Sequence, residues 1–509
     1  MNSEISPILD DPIAQARHML QSGQWAAKEF ATFDRARVWP IVEAVAAVAF
    51  ANSAKFAELA VRETGFGVVE DKRKKNEFAS QGIVDHYRDV DLVSPRIDAE
   101  NRIVEFPRPA GVILALTPST NPVSTLYFKV MLALMTRNAI VISPHPLAVD
   151  CCTKAAHLLA EAAVGAGAPR DVIQVVDKPS VPLIEALMVD IDTNVILATG
   201  GSAVVRAAYS SGNPAIGVGP GNAPVLVDAT ADVGRAARDV VASKSFDNAL
   251  LCSAESVLIC EQSVSERLVK ELVRQGAYLC STIERDRLRT LLFPAGKLNT
   301  AVVGKDAQWL AKEAGIRVSP RVRVLLTPID LIVSEEMLAH EKLCPVLALN
   351  VQPDVASAIR AASATLRITG AGHSAAIYSS SVDNVMAFAS AVNVLRIIVN
   401  APNSTGVSGM DTNLAPTMTV GTGFMGRSSL GENLEPKHLV NWARIAYAKD
   451  PAESFPDFTG LTPWQEQRQP VAGSFSPLQP TGGERNDELR AKIRQLLIEE
   501  LGNLVGSGR

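Results

Sequence analysis

One cysteine lies in a sequence context that could support nucleophilic chemistry. Cys252 stands in KSFDNALLCSAES, residues 244–256, after two leucines and before a run of small polar residues. A thiolate adds readily to a carbonyl carbon, and a thiol ionises far more than an alkanol near neutral pH. The alternative is a small apolar core residue, because free cysteine is among the most often buried residue types. The segment alone leaves both roles open.

Three loop segments rich in small residues are candidates for ligand binding. TPSTNP (117–122) follows a short apolar strand, and ATGG (198–201) ends another strand. Ligands of open parallel α/β sheets bind at the carboxyl ends of the strands. GVGPGN (217–222) is the third segment, and its glycines would let a ligand approach the backbone closely.

Predicted strands and helices alternate on both sides of these loops. The apolar periodicity predicts strands at 111–116, 139–142, 172–176 and 194–198, and helices at 124–136, 150–164 and 181–189. Residues 33–63 read as helix ending at Gly65, and residues 98–106 as a hairpin. The strand 223–227 opens a second set of elements that continues to about residue 425. This alternation predicts an α/β fold with parallel, doubly wound sheets.

The composition excludes several classes of protein. A chain of 509 residues is too long for one ordinary core, and 47% hydrophobic with 20% charged residues is typical of globular proteins. A net charge of −5 does not indicate binding to nucleic acid or to an anionic membrane. No secretory signal and no membrane span are recognised, so a cytoplasmic location is expected. The six cysteines lack CxxC spacing and the seven histidines are dispersed, so no metal site is predicted.

Six segments in order resemble the CoA-acylating branch of the aldehyde dehydrogenase superfamily. The resemblance runs from about residue 63 to residue 447. Its segments are ETGFGVVEDKRKKNEFAS (63–80), RNAIVISPHPLA (137–148), AAYSSGNPAIGVGPGN (207–222), KSFDNALLCSAES (244–256), EKLCPVLAL (341–349) and VGTGFMGRSSLGENLEPKHLVNWARIA (420–446). The resemblance implies a Rossmann-like cofactor domain, a catalytic α/β domain and a small β element for oligomerisation.

The resemblance assigns catalytic roles to three residues. It makes Cys252 the nucleophile, which forms a thiohemiacetal with an aldehyde and, after hydride transfer to nicotinamide, a thioester. The Asn121 amide and the Cys252 backbone N–H are then the oxyanion donors, whereas locally Asn121 reads as a turn residue before proline. His373 matches a histidine near the thiol-transfer step, and a structural hydrogen-bonding role is its alternative.

The acceptor of the acyl group follows from a missing carboxylate. Hydrolytic members of the superfamily carry a glutamate general base where this chain has Gly217-Val-Gly-Pro-Gly221. Without that base water is a poor nucleophile, and the thiol of coenzyme A can attack instead. The resemblance therefore implies reversible oxidation of a short-chain aldehyde to an acyl-CoA thioester.

The same resemblance indicates which residues would bind the nucleotide. Glu341 stands where the superfamily holds the nicotinamide ribose, with a solvated helix-end glutamate as the alternative. The segment 143–146 replaces the lysine-bearing segment of hydrolytic relatives, which leaves NAD and NADP both open. The remaining expected cofactor-binding residues are Thr117, Pro118, Ser143, His145, Gly200, Gly201, Gly219 and Gly221.

Domain boundaries follow from the resemblance and from composition. We expect a cofactor domain at 1–241, completed by about 427–437, and a catalytic domain at 242–426. Residues 95–108 and 438–448 would form the oligomerisation element of a dimer or a dimer of dimers. Prolines and glycines in 451–483 predict a linker, and 484–505 an amphipathic helix. That helix either packs on its own oligomer or resembles the encapsulation peptides that dock microcompartment enzymes on shell proteins.

Other functions remain open from the sequence. A hydrolytic aldehyde dehydrogenase would release a free acid, and a cysteine acyltransferase or hydrolase would use Cys252 and His373 without nicotinamide. A scaffold protein without catalytic activity is the third alternative. The sequence does not identify the aldehyde or the physiological direction of the reaction.

Overall fold

A bundle of helices opens the chain in the computed structural model, which describes residues 11–450 and 452–461. The helices are α1 (Pro12–Phe30), α2 (Arg35–Ala51), α3 (Ser53–Thr64), α4 (Val69–Glu77) and, after a π-helical turn, α5 (Ile83–Tyr87). The helix predicted over 33–63 is two helices, because the chain bends by 58° at Asn52. Gly65 ends α3 as predicted, with a left-handed φ of 69° that favours glycine.

A hairpin separates these helices from the first large sheet. Its strands β1 (Arg96–Asp98) and β2 (Ile103–Pro109) pair antiparallel. The next elements are β3 (Val112–Leu116), α6 (Pro122–Met135), β4 (Ala139–Ser143), α7 (Val149–Gly165), β5 (Ile173–Val175), α8 (Val181–Val189), β6 (Val195–Ala198), α9 (Ser202–Ser210) and β7 (Ala215–Gly217). The five strands form one parallel sheet in the order β5-β4-β3-β6-β7.

A second parallel sheet follows, with seven strands. Its elements are β8 (Ala223–Val227), α10 (Val233–Ser245), β9 (Glu255–Glu261), α11 (Gln262–Arg274), β10 (Ala277–Leu279), α12 (Thr282–Leu292), α13 (Ala307–Glu313), β11 (Val324–Pro328), β12 (Val346–Gln352), α14 (Val355–Ile368), β13 (Ala375–Tyr378), α15 (Val382–Ala391), β14 (Ile397–Val399) and α16 (Asn403–Val407). The strand order is β10-β11-β12-β9-β8-β13-β14. The predicted α/β class with parallel sheets is confirmed.

The chain changes sheets earlier than the expected boundary after residue 241. Strand β8 and helix α10 already belong to the seven-stranded sheet, since Val225 and Val227 pack with Val233 and Val240 in one core cluster. Leu226 faces the opposite cluster, which also contains Cys344. Both faces of the sheet are therefore covered, as parallel sheets require.

The last strand returns to the hairpin. Strand β15 (Val440–Ala446) pairs antiparallel with β2, so the three-stranded sheet has the order β1-β2-β15. Tyr447 then packs edge-on against Phe455, and Phe458 lies beside both rings. The first part of the predicted linker thus contacts the end of β15. The rest of the linker beyond 461, and the helix predicted at 484–505, lie outside the described residues.

No single helix within residues 11–450 and 452–461 has both the length and the apolar composition needed to cross a membrane. Helices α2 and α3 meet those criteria only as a bent pair. Much of α2 packs inside the protein, with Val38, Ile41, Val42 and Val45 at most 1% exposed.

Candidate active site

Four neighbouring parallel strands bring the predicted thiol site together. Glu341, Cys252, Gly221 and His373 lie in the loops before β12, β9, β8 and β13, which are consecutive in the sheet. Parallel strands begin at the same edge, so these four loops converge at the amino edge of the seven-stranded sheet. The sequence analysis placed ligands at the carboxyl ends of strands. The four loops around Cys252 instead lie at the amino ends of their strands.

A cysteine–histidine pair forms the centre of this site. The Nε2 atom of His373 lies 3.1 Å from the Sγ atom of Cys252. On the other side of the ring, Nδ1 lies 2.9 Å from the Ser374 hydroxyl. The tautomer with its proton on Nδ1 would donate to Ser374 and leave the Nε2 lone pair facing the sulfur. In that tautomer His373 can accept the thiol proton.

A buried amide holds this arrangement from behind. Asn403 donates through Nδ2 to the Ser374 hydroxyl at 3.1 Å and to the Ser253 carbonyl at 2.7 Å. It therefore links the residue beside His373 to the residue beside Cys252. Sequence reasoning did not identify Ser374 or Asn403, because neither stands in a motif and their roles depend on contacts between distant segments.

The resting pair is electrically neutral. Burial, together with the nearby Glu341 carboxyl, raises the pKa of Cys252 to about 12. Burial, and to a lesser degree the Arg396 guanidinium, lowers the pKa of His373 to about 3. At neutral pH the site thus holds a thiol and an imidazole rather than a thiolate–imidazolium pair. Proton transfer to His373 must therefore accompany attack by the sulfur.

Gly221 lies directly against the cysteine loop. A Cβ atom added there would be 1.8 Å from the Cys252 carbonyl oxygen and 3.3 Å from Oε1 of Glu341. Burial raises the pKa of the Glu341 carboxyl to about 8, although the Lys244 ammonium opposes this effect. A side chain at 221 would occupy the space that Cys252 and Glu341 share. By contrast, a Cβ at Gly219 would make only ordinary contacts, with Thr422 at 3.4 Å.

Asn121 reaches the same loop from the five-stranded sheet. Its Nδ2 donates to the Leu250 carbonyl and to the Thr120 hydroxyl, both at 3.2 Å. Its Oδ1 accepts a hydrogen bond from the Lys75 ammonium. The amide nitrogen therefore faces the turn that leads to Cys252, which is the direction an oxyanion donor needs. Sequence reasoning did not identify Lys75, because a run of charged residues usually marks a solvated helix face.

Most of the expected nucleotide residues lie at the carboxyl edge of the five-stranded sheet, whereas Gly221 and Glu341 lie beside Cys252 at the seven-stranded sheet. In the strand register, Leu116 pairs with Ser143 and with Ala198, so the loops that contain Thr117, Pro118, Gly200 and Gly201 meet at one edge. The Ser143 hydroxyl is buried without a hydrogen-bond partner, and nothing lies within 4 Å of a Cβ added at Gly201. The unpaired Ser143 hydroxyl and the open space at Gly201, both at this edge of the sheet, fit the polar groups of a dinucleotide.

His145 has a local role in the same region. Its Nδ1 accepts a hydrogen bond from the Leu147 N–H at 3.1 Å and caps the short 3₁₀ turn Pro146–Ala148. This leaves Nε2 as the ring nitrogen available to a ligand. Across the described ranges, no group of three or more His, Cys, Asp or Glu side chains is arranged to hold a metal ion.

Comparison with known proteins gives consistent matches along the chain. The model of the aldehyde dehydrogenase family matches residues 4–287. The bifunctional aldehyde-alcohol dehydrogenase of Escherichia coli K12 is 38% identical over 85% of this chain and 49% of its own length. The acetylating succinate-semialdehyde dehydrogenase of Clostridium kluyveri is 34% identical over 85% of this chain and 95% of its own length. The chain thus spans about half the length of the bifunctional relatives it matches.

Solved structures agree with these matches. An acetylating aldehyde dehydrogenase from Geobacillus thermoglucosidasius has a TM-score of 0.85 and 36% identity, over 87% of this chain and 98% of its own. A propionaldehyde dehydrogenase from a Clostridium phytofermentans microcompartment has a TM-score of 0.78 and 28% identity, over 85% and 97%. The Rhodopseudomonas palustris propionaldehyde dehydrogenase, solved with bound CoA and an acylated cysteine, has the same score, identity and coverage.

Proposed function

The chain belongs to the acylating aldehyde dehydrogenase family, and from this premise we propose that it converts a short-chain aldehyde reversibly into its acyl-CoA thioester. NAD or NADP accepts the hydride, and coenzyme A accepts the acyl group. The observation that carries the proposal is the Cys252–His373 contact of 3.1 Å beside a glycine segment, 217–221, that has no carboxylate.

The first step is addition of the sulfur to the aldehyde. The S–C bond forms as the carbonyl π pair moves to oxygen, and His373 Nε2 takes the proton from Sγ. The Cys252 backbone N–H and the Asn121 amide nitrogen donate to the new oxyanion. Both amide hydrogens of Asn121 already have hydrogen-bond partners. One of them must therefore leave Thr120 or Leu250 in order to bind the oxyanion.

The second step needs the dinucleotide at the carboxyl edge of the five-stranded sheet. When bound there, a nicotinamide would accept the hydride of the thiohemiacetal carbon, which would leave a thioester on Cys252. Ser143, Gly200 and Gly201 would bind its phosphates and adenosine, and Glu341 its ribose. The unpaired Ser143 hydroxyl supports this assignment.

The third step releases the product. Before this step His373 releases to solvent the proton that it took from Cys252, which is the proton that the overall oxidation liberates. The coenzyme A thiol then gives its proton to His373 as its sulfur attacks the thioester carbon, and the Cys252 sulfur leaves as a thiolate. The proton then passes from His373 to Cys252, which restores the neutral pair.

The test is single-turnover kinetics with each substrate omitted in turn. Without coenzyme A we expect about one NADH per active site and then a steady rate lower by roughly two orders of magnitude, since removal of an essential nucleophile stops turnover. Adding coenzyme A should restore turnover and yield the acyl-CoA. Sustained release of free acid without coenzyme A would contradict the proposal.

A hydrolytic function is the second candidate, and the position of Glu341 favours it. This carboxyl lies beside Gly221 and Cys252, and with a pKa of about 8 it could accept a proton from water. Hydrolysis through Glu341 predicts acid release without coenzyme A in the wild type and its loss in Glu341→Gln. Acylation of coenzyme A by both forms supports the main proposal.

The oligomer proposal rests on the three-stranded sheet. Strand β15 is an edge strand, and Ile445 in it is 40% exposed. Edge strands with exposed apolar residues favour pairing with another chain. We propose a homodimer, or a dimer of dimers, formed through this sheet. Light scattering should give a multiple of the chain mass for the wild type, and Ile445→Lys should shift it toward the monomer.

The carboxyl-terminal segment carries the localisation proposal. In the sequence 489–504, apolar residues recur at a spacing that would put them on one face of a helix: Leu489, Ile493, Leu496, Leu497, Leu501 and Leu504. We propose that this segment docks the enzyme on a shell protein inside a bacterial microcompartment in the cytoplasm. Deleting residues 480–509 should leave solution kinetics intact and release the enzyme from the compartment. Loss of activity or of oligomerisation would instead assign the segment to the enzyme's own structure.

A further inference from the structure

Two lysines and one aspartate are buried behind the Asn121 amide. Lys72, Lys75 and Asp247 are 4%, 1% and 0% exposed. The lysines are three residues apart in α4, so they share one helix face. That face meets Asp247, which lies five residues before the nucleophile. Charges are rarely buried unless they are paired, and these three form a cluster in which the aspartate contacts both ammonium groups.

Lys75 determines which way the Asn121 amide points. Its ammonium contacts the Asp247 carboxylate and Oδ1 of Asn121. An ammonium has donors only, so the amide must turn its oxygen toward Lys75 and its nitrogen away. The nitrogen then faces the Leu250 carbonyl, 3.2 Å away.

The ammonium keeps its charge at neutral pH. Burial lowers the pKa of Lys75 to about 8, and Lys72 acts in the same direction. The carboxylates of Asp247 and Asp71 oppose this and favour the charged form. A charged donor on Oδ1 also polarises the amide, which strengthens donation by its nitrogen.

Asp247 ties this lysine to the nucleophile loop. Its Oδ1 accepts the Val68 N–H at 2.7 Å, and its own N–H donates to Asp71 at 2.9 Å. Asp247, Asn248 and Ala249 have left-handed φ values of 46°, 54° and 60°, a costly conformation for residues other than glycine. These contacts hold the strained turn that presents Cys252. The Asp247 carboxylate thus acts on both catalytic groups. It holds the Asn121 amide through Lys75, and it holds the turn before Cys252 through its own contacts.

We propose that Lys75 is a positioning residue for the oxyanion step, which it serves by directing the Asn121 amide nitrogen toward the carbonyl oxygen of the bound aldehyde. This inference rests on the proposed function, in which Asn121 is an oxyanion donor. Lys75 is 1% exposed and contacts Asn121 and Asp247, so it would act through the amide.

The first measurement is the rate of NADH formation in a single turnover. Lys75→Met should lower this rate constant about 10- to 100-fold, because removing one oxyanion donor costs about 10²- to 10³-fold and a misdirected donor loses most of that. The aldehyde KM should stay within about twofold, since the contact acts in the transition state. Lys74→Met is the matched control on the same helix. Its side chain is 52% exposed, and its rate should equal that of the wild type.

The second measurement is a double-mutant cycle with Asn121→Ala. If Lys75 acts through Asn121, adding Lys75→Met to Asn121→Ala should change the rate no further. A multiplicative loss in the double variant would overturn the inference, as would a normal rate for Lys75→Met beside a slow Asn121→Ala. A normal rate for Asn121→Ala would instead refute the proposed role of Asn121 itself.

Folding is followed by thermal unfolding in parallel. Should Lys75→Met fail to fold, Lys75→Gln carries the test, because it keeps a neutral donor and Lys72 still pairs with Asp247. Its rate should lie between those of the wild type and Asn121→Ala. A rate equal to the wild type would overturn the inference.

Discussion

Replacing Gly221 by alanine tests how closely the loops of the active site are packed. The added Cβ would lie 1.8 Å from the Cys252 carbonyl oxygen and 2.8 Å from its carbon. Both are backbone atoms, so no side-chain rotation can relieve the overlap. Because Gly221 does not have a left-handed φ, the cost comes from this contact and not from backbone conformation.

The displacement sets the expected loss of activity. The two loops must separate by about 1 Å or more to reach an ordinary carbon–oxygen contact. A misplacement of about 1 Å costs about 10²-fold in rate, or about 2.7 kcal/mol in the activation free energy. We therefore expect Gly221→Ala to lower the single-turnover rate of NADH formation about 100-fold. The measurement is stopped-flow absorbance with saturating aldehyde and nucleotide.

The matched control is Gly165→Ala. Gly165 ends α7, has no atom within 4 Å of an added Cβ, and has no left-handed φ. This control should keep the wild-type rate, and its stability should be equal or slightly higher. A Gly221→Ala variant with wild-type melting temperature and a rate within about threefold of normal would refute the argument that this contact positions the sulfur.

Three further predictions concern the thiol and its partners. The rate of Cys252 alkylation by iodoacetamide should rise about tenfold per pH unit from pH 7 to 10, because the pKa of about 12 leaves the thiol protonated throughout. The alkylation rate should show no inflection near pH 6.5, since His373 with a pKa of about 3 is neutral there. A rate that reaches a plateau below pH 9 would contradict the neutral thiol–imidazole pair. Cys252→Ala should abolish aldehyde oxidation in a steady-state assay while nucleotide binding, measured by fluorescence titration, stays near normal. Cys252→Ser should be nearly as inactive. Ser374→Ala should lower kcat about tenfold, because His373 Nδ1 loses the buried hydrogen bond that sets its tautomer; about 1.4 kcal/mol, within the range of about 1–3 kcal/mol for such a loss, is a factor of ten. An unchanged kcat would remove Ser374 from the mechanism.

The alternation of apolar segments was enough to predict the fold class and four strands of the five-stranded sheet, β3 to β6. Strand 139–142 and helix 181–189, for example, agree with β4 and α8 almost residue for residue. The break at Asn52 could not be predicted, because the apolar pattern continues across it. The change of sheet before β8 also depends on strand pairing between residues far apart in sequence.

The candidate site residues were predicted from the segments that resemble the family, and their catalytic roles stay predictions. Cys252, Asn121 and His373 were identified through the resemblance, and the structure brings Cys252 and His373 into contact and Asn121 to the same loop. Lys75 and Asp247 were not identified, because a charged helix face normally contacts solvent. Only the folded chain shows that this face is buried and which carboxylate neutralises it.

The convergence of four loops at one edge of the seven-stranded sheet has a consequence for how activity arises during folding. Cys252 and His373 are far apart in the chain and precede strands that are joined only through β8. Parallel strands of this kind form late, because large loops must close before their hydrogen bonds do. Any stretch of polypeptide that contains both Cys252 and His373 must include at least residues 252–373. Regain of catalysis after dilution from denaturant should therefore trail the recovery of helical circular dichroism, with enzymatic turnover reporting completion of the central strands.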